Sequence, residues 1–366
     1  MRIGMLTFHW ADNYGAVLQT YALSRYIKEN ITPNDSVEVV NFENRENSKI
    51  YRLFVFSNNS IKERVKGILR GVKNYPVWQK KRKGYENFRN RIPISRKYTR
   101  TQLLNSETDY DVWITGSDQV WNTDIVGSDY EIYDLSFIKR KQKSSYAASS
   151  GPLDNSNPQH IRLVKDIGTL DNISVRESST QEYLSGIISK PVKRVVDPTF
   201  LLSREDWEVI VPKKRIHNNK YLFLYYIAYD RELALAAELI AKKIGLDIVV
   251  CGTCPQLKNK SVTYKSASPE EFLNLIKNAD YVIASSFHAI VFATIFKKRF
   301  MAFIPPYASN RVMDLCKLIG LENRLFSQAS EIESVFETPI DYAEVDVKLM
   351  SEKEKSIEYL QSVIGK

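Results

Sequence analysis

The stretch Arg2-Ile-Gly-Met-Leu-Thr7 decides the fold, together with the loop Asn13-Tyr-Gly15 and the apolar run at residues 37–42. The first run predicts a short buried β-strand, and the Asn-Tyr-Gly string predicts a tight loop. Helical spacing of apolar residues follows over residues 16–26, and residues 37–42 predict a second strand. A strand, a loop, a helix and a strand in this order form the building block of a doubly wound parallel sheet.

The same alternation of strands and helices continues to about residue 304. In the first half, strands are predicted at residues 112–115, 144–148, 172–175 and 195–197. In the second half, strands are predicted at 221–226, 247–251, 281–284 and 299–304, with helices at 231–244, 269–278 and 288–296. The pattern predicts an α/β protein with two Rossmann-type domains facing a central cleft.

The expected domain boundaries follow from these elements. Residues 1–200 form the N-terminal domain with a basic insertion at 61–100, and residues 201–345 form the C-terminal domain. An amphipathic helix at about 351–364, within a final segment 346–366, is expected to pack back on the N-terminal domain.

Length and composition indicate a globular protein of the cytoplasm. The chain has 366 residues, of which 43% are hydrophobic, and this length exceeds the size at which single cores usually divide. We find no signal-like segment and no run approaching the roughly 20 apolar residues that span a bilayer. Three cysteines do not make a disulfide framework, and Cys251-Gly-Thr-Cys254 lacks the second pair of ligands that zinc needs.

Several candidate residues follow predicted strands, where parallel sheets bind ligands. His288 comes after Ser285-Ser286 at a helix start, where backbone N–H groups favour an anion. Arg176 follows the strand at 172–175. Position alone also allows ordinary structural roles for all of these, as it does for His9, Asn310 and Arg311.

The string Gly116-Ser-Asp-Gln-Val-Trp-Asn122 combines polar groups with a tryptophan behind a predicted strand. Trp121 could stack on a sugar, or it could close the end of the sheet as a core residue, and the two interpretations carry equal weight. The glycine-rich nucleotide loops are missing, and no close carboxylate cluster suggests a metal, so transfer without a metal is the simpler expectation.

Six ordered strings resemble the polysaccharide pyruvyl transferase family. They are N-Y-G-A-V-L-Q-T-Y-A-L at 13–23, G-S-D-Q-V-W at 116–121, S-Y-A-A-S at 145–149, S-V-R-E at 174–177, D-P-T-F-L-L at 197–202 and S-F-H-A at 286–289. The resemblance implies a GT-B-like fold and phosphoenolpyruvate as co-substrate, with no further cofactor. One departure is Ser286, where some members carry an arginine that would hold phosphate; Arg311, or Lys297 and Lys298, could replace it.

The resemblance, combined with these positions, implies roles at the site. His288 would act as general acid, Arg176 would bind the donor's carboxylate or phosphate in a bidentate fork, and Asp118 would orient the acceptor hydroxyl. The remaining candidates are grouped by substrate: donor-binding Ser285, Ser286, Arg311, Asn310, His9 and Asn13, and acceptor-binding Trp121, Gln119 and Tyr14.

The basic insertion at 61–100 holds fourteen Lys or Arg against two Glu, a local net charge of +12 within a total of +9. Apolar residues at helical spacing over 61–72 suit an amphipathic helix on an anionic membrane, or equally a solvated helix packed on the domain. A helix on the membrane would fit an acceptor that is a lipid-linked saccharide, such as one carried on undecaprenyl diphosphate, at the inner face of the plasma membrane. No nucleic-acid-binding motif accompanies the charge, so nucleic acid is not expected as a partner.

Two other functions stay open from the sequence. A GT-B glycosyltransferase would use the same scaffold with a sugar nucleotide, because fold does not fix function. A saccharide-binding protein of an assembly complex, without catalysis, becomes attractive if Ser286 marks a lost donor site.

Overall fold

The computed structural model describes residues 1–44, 61–228, 230–252, 257–258, 261–304 and 311–365, with the side chains of residues 61–70 excepted. The chain divides into two compact units. The first contains residues 1–201 and 355–366, and the second contains residues 202–354.

The main sheet of the first unit has five parallel strands in the order β3-β2-β1-β4-β5. These are β1 (Arg2–Leu6), β2 (Ser36–Asn41), β3 (Ile94–Lys97), β4 (Val112–Thr115) and β5 (Gln142–Ser145). Two more strands, β6 (Ile173–Val175) and β7 (Val192–Arg194), pair with each other, and isolated parallel bridges join Ser144 to Asn172 and Ala148 to Val175. The expected parallel α/β sheet is therefore confirmed in this unit.

The helices of the first unit connect these strands. They are α1 (Tyr14–Tyr26), α2 (Ile61–Arg89), α3 (Arg100–Leu104), α4 (Thr123–Val126), α5 (Tyr130–Tyr133), α6 (Pro158–Ile167) and α7 (Ser178–Ser185). Helix α1 begins where the Asn13 side chain accepts a hydrogen bond from the N–H of Ala16, so the predicted loop is also a helix cap. Strand β3 was not predicted. It is defined by its pairing with β2, which is distant in the chain, and no local sequence pattern shows that pairing.

The second unit has a six-stranded parallel sheet in the order β10-β9-β8-β11-β12-β13. Its elements are α8 (Arg204–Ile210), β8 (Tyr221–Tyr225), α9 (Arg231–Ile244), β9 (Asp247–Cys251), β10 (Ser261–Tyr264), α10 (Pro269–Lys277), β11 (Tyr281–Ala284), α11 (Phe287–Ile295), β12 (Phe300–Phe303), α12 (Arg311–Leu318) and β13 (Leu325–Phe326). Cys251 ends β9 with its side chain buried, while Cys254 lies outside the described residues.

The last helix, α13 (Tyr342–Ile364), begins nine residues earlier than expected. Its final turns belong to the first unit. There Tyr359 donates a hydrogen bond to the carbonyl of Ser145 at 2.8 Å, and the Ser356 hydroxyl accepts one from the N–H of Val196 at 2.9 Å. None of the helices in the described ranges is long and apolar enough to cross a bilayer.

The basic insertion is anchored at one end. Tyr85 and Phe88 of α2 are fully buried, and their rings contact Tyr14 and Tyr21 of α1. The preceding part of α2, residues 72–80, is mostly exposed. The end of this helix therefore packs on the domain, whereas its middle presents charge to solvent.

Gly116, directly after β4, leaves no room for a side chain and has a backbone conformation that favours glycine. Its φ is +108°, and a Cβ atom there would lie 2.2 Å from the carbonyl oxygen of Tyr146. Gly245 has φ +66° at the end of α9, but a Cβ atom there would meet no other atom within 4 Å. The two glycines share a left-handed backbone and differ in steric room.

We therefore expect Gly116→Ala to destabilise the protein well beyond Gly245→Ala. The backbone term alone costs about 1–2 kcal/mol, and the backbone clash at Gly116 adds to it. Thermal unfolding of both variants checks this, and equal melting temperatures would contradict it.

Candidate functional site

The first unit gathers polar residues at the carboxyl ends of its parallel strands. His9 follows β1, Gly116 to Gln119 follow β4, Ser149 follows β5, and Arg176 follows β6. This edge of a parallel α/β sheet is where ligands bind. Each sequence-predicted residue of this unit therefore lies at or beside that edge, but their accessibility differs.

Arg176 is at the centre of a buried ion-pair cluster. Its Nε lies 3.0 Å from Oε1 of Glu177, and its Nη1 lies 2.8 Å from Oδ2 of Asp197. Burial opposes the charged guanidinium, but the charges of Glu177, Asp197 and Asp118 outweigh that effect and raise the pKa of Arg176. The guanidinium is thus a permanent cation whose partners are already supplied by the chain.

Hydroxyl groups complete this cluster. Ser149 donates a hydrogen bond to Oε1 of Glu177 at 2.9 Å, and Thr199 donates one to Oδ1 of Asp197 at 2.7 Å. Ser117 contacts Oδ2 of Asp197 at 3.4 Å. Glu177 is the next residue after Arg176, where a simple salt-bridge partner was a possible interpretation, whereas no local signal linked Asp197 to Arg176.

Asp118 and Gln119 are polar residues of this edge that remain accessible. Both side chains are half-buried. Asp118 has φ +76° and forms a parallel bridge with Ala148, so the turn after β4 is held against the end of β5. Its carboxylate accepts a hydrogen bond from the N–H of Gln119 at 2.9 Å and still reaches solvent.

Trp121 and Tyr14 are core residues. Trp121 has no exposed surface, and its indole N–H donates to the carbonyl of Tyr133 at 3.3 Å. The Tyr14 ring is stacked on that of Tyr85 and is also buried. Of the two interpretations of Trp121, the structure supports the core residue, and neither aromatic ring offers a face to an acceptor sugar.

His9 and Asn13 serve the loop between β1 and α1. The His9 ring is buried between the carbonyl of Thr7 and the side chain of Asn41, each at 3.3 Å. Burial lowers the pKa of His9 to about 4, against the opposing effect of the two hydrogen bonds. Asn13 uses its side-chain oxygen to cap α1. Both expected donor-binding residues therefore have structural partners.

Arg89 is a residue that the sequence did not single out. From the end of α2 it donates hydrogen bonds to the carbonyls of His9 and Trp10, at 2.9 and 2.7 Å, and pairs with Asp12 at 2.6 Å. One member of the basic insertion thus holds the loop after β1. It lies about 80 positions along the chain from that loop, so no local pattern could have revealed the contact.

The second unit places a separate group of predicted residues at the carboxyl end of β11. His288 is the second residue of α11 and is only 7% exposed. Ser286 occupies the cap position without a side-chain capping bond, and the Ser285 hydroxyl accepts a hydrogen bond from the N–H of Ile227 at 3.4 Å. Helix N-termini attract anions.

The expected substitutes for the family arginine are placed differently. Arg311 opens α12, and Asn310 lies outside the described residues. Lys297 and Lys298 follow the far end of α11, about 13 Å from His288 at 1.5 Å per residue, and Lys297 pairs with Asp346 at 2.7 Å. Along the helix, neither lysine therefore lies beside His288.

The comparisons with known proteins agree on sequence family and fold. A family model described as polysaccharide pyruvyl transferase matches residues 13–305. No curated protein matches the sequence at a significant level.

Three solved UDP-N-acetylglucosamine 2-epimerases are similar in structure. The enzyme from Neisseria meningitidis, bound to UDP-GlcNAc, has a TM-score of 0.52 at 10% identity, covering 99% of this chain and 100% of that one. The enzyme from Rickettsia bellii has a TM-score of 0.51 at 12% identity, covering 99% and 96%. A third has a TM-score of 0.56 at 9% identity, covering 99% and 94%. At these identities the likeness shows the fold, which is GT-B-like as expected.

His9 should make the free energy of unfolding depend on pH. The ring is neutral in the folded protein, with a pKa of about 4, and titrates near 6.5 when unfolded. Its contribution to stability is therefore complete above pH 6.5 and is lost as the pH falls towards 4. Between pH 7.5 and 5 we expect the free energy of unfolding to fall by about 2 kcal/mol more in wild type than in His9→Gln. Melting temperatures across this range check the slope, with His160→Gln as the control; a slope unchanged by His9→Gln would contradict it.

Proposed function

The chain belongs to the polysaccharide pyruvyl transferase family, and from this premise we propose that it moves the enolpyruvyl group of phosphoenolpyruvate onto a sugar diol. The products are a pyruvate ketal and inorganic phosphate. The observation that carries the proposal is that the matched region includes His288 at the start of α11, directly after a strand of the second sheet. We assign the reaction to the synthesis of a capsular or extracellular polysaccharide.

The donor is assigned to the second unit. His288 stands at a helix N-terminus, where backbone N–H groups point out of the helix, and the cap residue Ser286 makes no side-chain capping hydrogen bond. Such N–H groups suit a phosphate or carboxylate, and phosphoenolpyruvate carries both. Ser285 and Arg311, at the ends of neighbouring elements, are the further donor contacts we propose.

The chemistry requires one proton to be delivered and two to be removed. His288 protonates the methylene carbon of the enol, and a sugar hydroxyl then bonds to the adjacent carbon and loses its proton. The second hydroxyl displaces phosphate from the same carbon and closes the ring. One of the two hydroxyl protons balances the proton on the new methyl group, and the other leaves with phosphate or solvent.

The acceptor is assigned to the first unit. Around Arg176, two paired carboxylates and the nearby Asp118 outnumber the single guanidinium, which makes this edge a poor place for an anionic donor. Carboxylates and amides instead accept and donate hydrogen bonds to sugar hydroxyls. We therefore propose that Asp118 and Gln119 hold the acceptor, and that Arg176 positions the strand ends around them rather than binding the donor.

The acceptor is proposed to be lipid-linked, with peripheral contact between α2 and an anionic membrane. Within this helix Val72, Tyr75 and Val77 are exposed, and so are Lys73, Lys80 and Lys83. Exposed lysines beside apolar side chains favour a surface of anionic headgroups.

His288→Gln should slow the phosphate release that depends on both phosphoenolpyruvate and an acceptor. The rate should fall at least about 100-fold, because the variant loses its general acid. His217→Gln, in the other histidine of the same unit, should keep near wild-type rates. Mass spectrometry of candidate saccharides should show the added pyruvyl group with wild type only. Near-normal turnover by His288→Gln would contradict the assignment, and turnover with a sugar nucleotide instead of phosphoenolpyruvate would indicate a glycosyltransferase.

Arg176→Ala is a less informative variant for this question. It leaves Glu177 and Asp197 buried without their cation, which typically costs about 3–5 kcal/mol. Loss of activity would then follow from loss of structure.

The membrane proposal predicts that the wild-type protein cosediments with vesicles containing phosphatidylglycerol at low salt. Lys73→Ala with Lys80→Ala and Lys83→Ala should weaken this binding roughly a hundredfold, at about 1 kcal/mol per lysine. The matched control removes Lys213, Lys214 and Lys317, which are exposed in the second unit. Binding should also weaken as salt rises. Failure of the wild type to bind these vesicles at low salt would contradict the proposal.

A further inference from the structure

A polar cavity lies in the first unit, at the amino ends of its strands and opposite the carboxyl edge described above. It has a volume of about 760 Å³ and is lined by residues 136–143 before and within β5, by residues 166–172 before β6, and by Ser362 of α13. Lys143 in this cavity and Ala147 at the carboxyl edge are four residues apart, or about 13 Å along an extended chain. The cavity is therefore separate from the edge that carries Asp118 and Arg176.

The lining carries an excess of cations. Lys139, Arg140, Lys141 and Lys143 face two carboxylates, Asp166 and Asp171. Both carboxylates already have partners, because Asp171 accepts the N–H of Lys143 at 2.9 Å and Asp166 lies 3.8 Å from Arg162. Lys141 pairs with Asp111 at 3.1 Å. Within the described part of the chain, the side chains of Lys139 and Arg140 make no hydrogen bond or ion pair.

Lys143 is the most buried of these cations. It is only 8% exposed, and its ammonium donates to the hydroxyl of Thr169 at 2.8 Å. Burial lowers its pKa, and the nearby charge of Lys139 lowers it further. The carboxyl groups that oppose these effects are Asp171, Asp134 and Asp166, and burial raises the pKa of Asp134 to about 7. Two N–H donors of Lys143 therefore remain for another partner.

The loop carrying Lys139 and Arg140 is fixed before any ligand arrives. One oxygen of Glu107 accepts hydrogen bonds from the consecutive backbone N–H groups of residues 139, 140 and 141. The neighbouring hydroxyls give their hydrogens to carbonyls of the chain, with Ser136 donating to Glu131 and Thr169 to Asp166. These hydroxyl hydrogens are used within the chain, whereas the cationic side chains keep charged donors for a ligand, so the cavity favours an anion over a neutral sugar.

We propose that this cavity binds a small molecule bearing a phosphate or diphosphate group, held by Lys139, Arg140 and Lys143. A guanidinium and two ammonium groups match the several oxygens of a dianion, and a phosphate among them relieves the repulsion between the two lysines. The volume leaves room for the sugar or nucleoside part of a phosphorylated metabolite. This site does not depend on the proposed pyruvyl transfer.

Isothermal titration of the full chain with inorganic pyrophosphate tests the proposal. Wild type should bind, and Lys139→Ala with Arg140→Ala should bind at least tenfold more weakly. The loop should remain folded in this variant because its contacts with Glu107 use backbone N–H groups, and melting temperature checks this. Lys213→Ala with Lys214→Ala removes an equally exposed adjacent pair in the second unit and should leave the affinity within twofold of wild type.

Three outcomes would overturn the proposal. These are no binding by wild type below about 1 mM, equal affinity in wild type and the Lys139/Arg140 variant, or an equal loss in both double variants. The second outcome would place the pyrophosphate at another site, and the third would show an effect of overall charge. Should the double variant prove unstable, Arg140→Ala alone, which should weaken binding severalfold, takes its place.

Discussion

The first unit depends on one buried ion-pair cluster, in which Arg176 bonds to both Glu177 and Asp197. Arg176 follows β6, Asp197 follows β7, and Ser117 after β4 contacts Asp197. Charges taken out of water are tolerated only when they are paired and hydrogen-bonded. The cluster meets this condition through hydroxyls and neighbouring carboxylates, so the ends of several strands are held in one arrangement.

This constraint decides what the edge can bind. A guanidinium that is free to swing would suit an anionic donor, whereas one enclosed by carboxylates mainly balances their charge. Asp118 and Gln119 remain accessible beside the cluster, and their side chains suit hydroxyls. The proposed assignment of the acceptor to the first unit and the donor to the second rests on this difference between their polar groups, because the second unit offers His288 at a helix N-terminus instead.

Local patterns predicted most of the fold because apolar runs and helix caps are local signals. The helix predicted at 269–278 illustrates this, since Ser268 before it forms a capping box with Glu271. Strand β5 ended earlier than predicted, at Ser145, and Ala147 beyond it has φ +49°. What the sequence could not reveal was pairing across long separations: β3 beside β2, Arg89 on the loop after β1, and Asp197 on Arg176. Trp121 was ambiguous for the same reason, because burial is decided by the elements that surround it.

The basic insertion shows how one segment can serve two purposes that composition cannot separate. At its anchored end, aromatic burial and Arg89 make it part of the scaffold that shapes the loop after β1. In its middle, Lys73, Lys80 and Lys83 remain exposed to solvent. Their charge costs little free energy there, and its electrostatic field acts on charged molecules that approach. A count of fourteen cations describes both parts equally. Burial separates them, because a cation with a carbonyl and a carboxylate for partners stabilises the fold, and one without them is available for binding.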